Sequence, residues 1–304
     1  MRTLQLVTTP GPFFNEQVRV LEQHGVSCTV LDVPQRGDSD RTVLEYAAYY
    51  PQVLGTAVAK EFDIIHANYG LTAPMALGQP TRPVILSLWG SDVHGTFGPL
   101  SRFCAKFADE VVVMSAEMAE AVGGEPAVIP HGVDLERFQP RSRDEALAEV
   151  GWSADSMHVL FPWGEDRVVK DYPRARRVVE AAREQLTEQV ELHAVSGVPH
   201  ERMPAYMNAA DVLLMTSKWE GSPNAVREAL ACNLPVVVTD VGDVSEHVCD
   251  LPVSSVCTSD RELVDGLVFA LESGRPSDHR KAVRDLSLEQ TAADLLDVYE
   301  RALS

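Results

Sequence analysis

No stretch of this chain approaches the roughly 18–20 uninterrupted apolar residues that a membrane span needs. The N-terminal MRTLQLVTTPGPFF runs straight into a strand-like segment, with no separate apolar region and cleavage site. A cytoplasmic location is therefore expected. Cysteine is sparse and odd in number. Cys28, Cys104, Cys232, Cys249 and Cys257 are scattered with no C-x-x-C, which argues for reduced thiols and against a structural zinc site. The nine histidines show no H-x-x-x-H or H-E-x-x-H spacing, so no dedicated metal cage is expected. Positive charge is scarce as well: 26 Lys and Arg face 45 Asp and Glu, a net charge of −19. That balance disfavours nucleic acid as a main partner, because neutralising phosphates needs clustered cations. It also disfavours docking on anionic lipid through a broad basic face, and leaves only peripheral membrane contact open. An acidic surface with few lysines says little about oligomeric state.

What is present is core-forming sequence, 45% hydrophobic over 304 residues, enough for two ordinary domains. Short apolar runs recur at 3–9, 27–33, 62–68, 83–89, 110–115 and 127–130, and again at 157–163, 190–196, 211–217, 235–240 and 253–258. Near-continuous apolar strands alternating with amphipathic segments are the pattern of parallel sheets covered on both faces. Between the two sets lies a polar stretch without a strand, HGVDLERFQPRSRDEALAEVGWSADS. The expected fold is α/β, with two Rossmann-like, doubly wound domains facing across a cleft. Their boundaries are set at residues 1–135 and 136–286. Residues 287–304 form an amphipathic helix that can pack back toward the first domain.

The segment EGSPNAVREAL (220–230) sits between two of these runs. Ser222 is a good N-cap and Pro223 suits the first helical position, so a helix is expected to start there. A helix N-terminus following a glycine is an anion site suited to phosphate. Glu220 precedes it, and Glu228 lies about 9 Å further along the helix axis. Carboxylates flanking a phosphate pocket make sense as acceptors for hydroxyl groups on either side. A nucleoside diphosphate sugar offers that layout: ribose, diphosphate, sugar. The plainer alternative is a solvated helix residue and an ordinary loop acid. Cations should face the diphosphate, and FPWGEDRVVKDYP (161–173) supplies Arg167 and Lys170, unless both are simply solvated.

EGSPNAVREALACNLPVVVTDVGDVSEHV resembles the signature of family 4 retaining glycosyltransferases of the GT-B fold, whose glutamate–seven–glutamate spacing Glu220 and Glu228 meet. VIPHGVDLERFQP (128–140) is similar to that family's interdomain segment, with His131 in place of the usual Asn. LWGSDVHG (88–95) resembles its H-G-x-D loop, and AYMNAADVLLMTSKWEG (205–221) its run into the signature. The resemblance implies a metal-independent hexosyltransferase of glycan or polysaccharide biosynthesis. It needs no cofactor, and a nucleotide sugar, UDP- or GDP-linked, is its substrate. By position, Glu220 would hold the sugar for front-face attack, Glu228 would bind ribose, and Arg167 and Lys170 would neutralise the leaving diphosphate. Backbone at Gly221, Ser222 and Asn224 would bind phosphate oxygens, and the loop at Gly197 and Val198 would touch the base. Gly11, Trp89, Gly90, Asp92, His94 and His131 fall on the acceptor side, for a glycan, lipid-linked or small-molecule acceptor.

The first loop has the single Gly11 where the family usually has Gly-Gly, and Trp89 stands where it has histidine. Glu165 occupies the usual place of the phosphate arginine, five residues before the lysine, so that role passes to Arg167. These departures suit the alternative of a catalytically degenerate nucleotide-binding GT-B subunit, against which Glu220, Glu228, Arg167 and Lys170 argue. A GT-B phosphorylase or epimerase is the other alternative. It calls for a second anion site, or for paired acids or histidines over the sugar.

Overall fold

The computed structural model of the chain describes residues 1–35 and 41–304. Among these residues, eleven strands form two sheets. The first sheet contains β1 (Arg2–Val7), β2 (Ser27–Asp32), β3 (Ile64–Ala67), β4 (Val84–Leu88), β5 (Glu110–Val113) and β6 (Ala127–Val128). The second contains β7 (Met157–Phe161), β8 (Val190–Ala194), β9 (Val212–Met215), β10 (Val236–Thr239) and β11 (Ser255–Cys257). All paired strands are parallel. Each apolar run of the sequence corresponds to one strand, shortened by a residue or more as the chain turns out of the sheet. The two-domain α/β expectation is met: β3, β4, β9 and β10 are buried at every position, as strands covered on both faces must be.

The strands run β2-β1-β3-β4-β5-β6 in one sheet and β11-β10-β9-β7-β8 in the other. In each, the chain leaves the first strand in one direction and later returns to its other side. That reversal opens a crevice at the carboxyl ends of β1 and β3 in the first sheet, and of β7 and β9 in the second. Ligands of open α/β sheets bind at such points.

The chain divides into two compact units, one of residues 1–131 with 288–304 and the other of residues 132–287. The closing helix, Leu288–Leu303, lays Leu295, Val298 and Tyr299 into the core of the first unit. The Tyr299 hydroxyl lies 2.7 Å from Nδ1 of His66 and accepts from Nε2 of Gln5 at 3.2 Å. His66 Nε2 lies 2.7 Å from Ser87 Oγ, so the ring is satisfied on both sides. Complete burial pushes His66 down to about 3, which keeps it neutral. In the second unit the cores lie on the two faces of the sheet, one around Leu213, Met215 and Val236, the other around Phe161, Val179 and Leu267. No helix among the described residues is long and apolar enough to cross a membrane.

Candidate functional site

At the reversal point of the second sheet, the loop after β7 and the loop after β9 are stitched together. Thr216 Oγ1 donates to the carbonyls of Lys170 and Asp171 at 2.9 and 3.1 Å, and Lys218 N–H donates to Val169 O at 2.9 Å. This stitching sets Lys170 Nζ directly on Glu220 Oε1, both side chains nearly buried. The ammonium also lies 4.1 Å from the centre of the Trp163 ring, an arrangement worth ~0.5–2 kcal/mol. Burial lowers the Lys170 pKa, Glu220 opposes that shift, and the nearby charge of Arg167 adds to it. The Arg167 side chain itself is exposed. Of the three residues assigned to catalysis, Lys170 and Glu220 are joined, with Arg167 at their solvent side.

The turn that carries Glu220 differs from expectation in one respect. The helix spans Asn224–Ala231, Pro223 is its N-cap, and no side chain caps it. Ser222 cannot serve as cap because its hydroxyl is engaged elsewhere. It donates to Asp243 Oδ2 at 2.5 Å and accepts from Arg227, whose guanidinium also pairs with Asp243. Arg227 and Asp243 are 2% and 3% exposed, so this is a buried ion pair tying the turn to the loop after β10. Burial alone would raise Asp243; His247, Arg227 and Ser222 together hold it below the usual carboxylate range. Gly242 completes the lock. At φ +61° it lies so close to the turn that a Cβ there would stand 2.4 Å from the Gly221 carbonyl oxygen. Asn224 keeps a buried side-chain oxygen with no partner among the described residues.

Glu228, 6% exposed, sits on the inner side of the same helix, and its carboxylate lies 2.7 Å from His200 Nε2. Arg137 Nη1 approaches His200 Nδ1 at 3.3 Å. A guanidinium can only donate, so Nδ1 accepts and Nε2–H donates to Glu228. Gly197, at φ +70°, and Val198 open the loop that leads to His200. Val198 packs against the core beside Leu213 and Met215.

In the first unit, the reversal point holds a pocket of about 350 Å³. Gly11, Phe13, Asn68, Tyr69, Trp89 and Ser91 are among its walls. Trp89 is fixed there by its indole N–H, which donates to Asn68 O at 2.8 Å. His131, 3% exposed, packs edge-on to Phe13 at 4.9 Å and tilted to Trp89 at 5.8 Å. Gly90 opens the short helix Gly90–His94. Asp92 does not line the pocket. It accepts the Trp89 backbone N–H at 2.9 Å and is bonded by the Gly70 backbone. It therefore positions the two loops that bear Trp89 and Tyr69. Burial, partly offset by those two donors, pushes its carboxyl up to about 7. His94 is drawn away as well, lying 3.8 Å from Glu117.

Sequence reasoning missed His200, Trp163, Gly242 and the Arg227–Asp243 pair. Only Trp163 had a local signal, as an aromatic in the stretch already holding Lys170; the partners of the others lie 16 to 28 residues away.

The fold has known counterparts. HepE of Anabaena, solved in complex with UDP and glucose, superposes with a TM-score of 0.73 at 16% identity, covering 99% of this chain and 100% of that one. Sucrose-phosphate synthase from Thermosynechococcus elongatus superposes with a TM-score of 0.74 at 17% identity over 99% of each chain. At such identities the likeness concerns the fold. In sequence, TuaC of Bacillus subtilis, named as a glycosyltransferase of teichuronic acid biosynthesis, is 28% identical over 79% of this chain and 73% of its own length. A GDP-mannose-dependent phosphatidylinositol monomannoside mannosyltransferase of Mycolicibacterium smegmatis is 28% identical over 62% of each. The fold and these relatives define the class, a glycosyltransferase of GT-B type. Residues 166–273 match the family described as glycosyl transferases group 1.

Proposed function

We propose that the chain moves a hexose from a UDP- or GDP-sugar to a glycan, lipid-linked or small-molecule acceptor, retaining the anomeric configuration. The Lys170–Glu220 pair at the reversal point of the second sheet carries this reading. A carboxylate and an ammonium held side by side, nearly dry, suit a ligand that presents hydroxyls next to phosphates. When the bond from the anomeric carbon to the phosphate oxygen breaks, negative charge grows on the diphosphate. Lys170, with Arg167 at its solvent side, stabilises that charge without a metal at this position. The acceptor oxygen bonds to the anomeric carbon on the face the diphosphate leaves, and its proton passes to the departing phosphate oxygen. Glu220 holds the sugar hydroxyls, Asn224 and the backbone of Gly221 and Ser222 hold phosphate, and Glu228 takes the ribose. His200, donating to Glu228, aims that carboxylate. The first-unit pocket beside Trp89 receives the acceptor. A GDP-mannose-dependent relative and the UDP complex of HepE support the choice of donors.

Calorimetric titration of UDP, GDP, ADP and dTDP into the full chain, in low and in molar salt, is the test. One nucleotide should bind, and Glu228→Ala should weaken it by about 1–3 kcal/mol, as a lost charge-assisted hydrogen bond does. A folded chain that binds no nucleotide in either salt overturns the reading.

A further inference from the structure

The expectation of no metal cage rests on linear spacing of histidines, and a parallel sheet does not respect linear spacing. In the second unit, β7 and β8 pair so that His158 stands opposite Glu191, and Leu160 opposite His193. Side chains two residues apart on a strand share a face, so Glu191 and His193 flank His158 on one side of the sheet. His158 Nδ1 and His193 Nε2 are 2.9 Å apart, His193 Nε2 and Glu191 Oε2 are 3.6 Å apart, and the three ligand atoms lie within 4.8 Å of one another.

The geometry points to a divalent-metal site formed by His158 Nδ1, His193 Nε2 and Glu191, best suited to zinc with a water as fourth ligand. Two imidazoles and a carboxylate with one open position are a recurrent zinc donor set. Bonds of about 2.0–2.1 Å at a tetrahedral centre separate their donor atoms by roughly 3.3–3.4 Å. The His158–His193 gap need open by only a few tenths of an ångström, and the His193–Glu191 gap already fits.

The surroundings are those of ligands rather than of stray polar groups. Metal-binding histidines donate their second N–H to a carbonyl or carboxylate, and their carboxylate partners are themselves hydrogen-bonded. His158 Nε2 lies 2.7 Å from the Ser153 carbonyl, which fixes its proton there and leaves the Nδ1 lone pair facing His193. The other oxygen of Glu191 accepts from Ser156 Oγ at 2.9 Å and from Gln189 Nε2 at 3.3 Å. Trp152 stacks on His193 at 3.8 Å and 14°, holding that ring in plane. Without metal, His193 Nε2–H donates to His158 Nδ1. On metal binding the proton moves to His193 Nδ1, and no proton need be released.

His158 and Glu191 are the second residues of β7 and β8 and His193 the fourth of β8, so the three lie on the strands themselves rather than on the loops that carry Lys170 and Glu220. The site also ties β8, the edge strand of its sheet, to its neighbour. The proposed site is therefore independent of the transferase reading.

The full chain, stripped with chelator, is titrated with ZnCl₂ by calorimetry and with CoCl₂ by absorption spectroscopy, while thermal unfolding is followed in parallel. One ion per chain should bind. Cobalt should show the visible absorption of a four-coordinate nitrogen–oxygen site, and zinc should raise the melting temperature. Glu191→Gln and His193→Gln, both at partly exposed positions, should each weaken zinc at least tenfold while leaving nucleotide binding unchanged. A chain that takes up no zinc, or zinc binding that is the same in both variants as in the parent, overturns the proposal.

Discussion

Glu220 has two demands on it. In the free chain its carboxylate neutralises Lys170, a buried ammonium; under the proposed function it would also serve sugar hydroxyls once donor binds. On that reading, removing it would leave a desolvated cation facing the diphosphate, which favours ground-state nucleotide binding while the sugar would lose its hold. Glu220→Ala is therefore expected to keep nucleotide affinity within severalfold and to lower kcat by roughly 100-fold or more, the scale of losing one preorganised electrostatic contact. Steady-state kinetics beside calorimetry separates the two. A loss of affinity with kcat unchanged would assign Glu220 to binding alone. Trp89 and Asp92 show how residue roles shift once neighbours are known. Both belong to one loop motif in the sequence, yet Trp89 walls a pocket whereas Asp92 turns inward to backbone donors.

Elements, rather than single residues, hold the site in shape. The turn before Asn224–Ala231 is anchored by Arg227 and Asp243, and breaking a buried pair by removing one partner costs about 3–5 kcal/mol. Arg227→Met should lose stability on that scale in urea unfolding, while Arg227→Met with Asp243→Leu should recover much of it. The short helix after β4 has a pH signature. Asp92 is raised to about 7 in the folded chain, against about 4 when unfolded. The folded state thus holds the proton more tightly, and the stabilisation is complete below about pH 4 and lost as pH rises through 7. The stability of the first unit should fall across that window by an amount on the order of a few kcal/mol, read from urea unfolding at a series of pH values, and Asp92→Asn should flatten the slope. The strands were legible because burial on both faces leaves an apolar run that needs no partner to be recognised. The start of the helix at Asn224 was not legible, since the Ser222 hydroxyl is claimed by Asp243, 21 residues later. For the same reason His200 on Glu228 and the His158–Glu191–His193 cluster left no local trace: strand register and loop stitching create them.

On the scale of the whole chain, the first unit is interrupted. Its backbone stops at His131 and resumes at Leu288, and the resumed piece supplies Leu295, Val298 and Tyr299 to its core. Deleting residues 288–304 should strip those contacts and leave His66 and Gln5 buried with lost partners. The first unit should then lose its cooperative melting while the second keeps its own, which calorimetric scanning of the two transitions can resolve. During synthesis the same arrangement imposes an order on assembly. The ribosome delivers residues 132–287 whole before the helix that closes the first unit has been made. The part that begins first is therefore finished last, and until then the apolar groove awaiting Leu295, Val298 and Tyr299 lacks its cover.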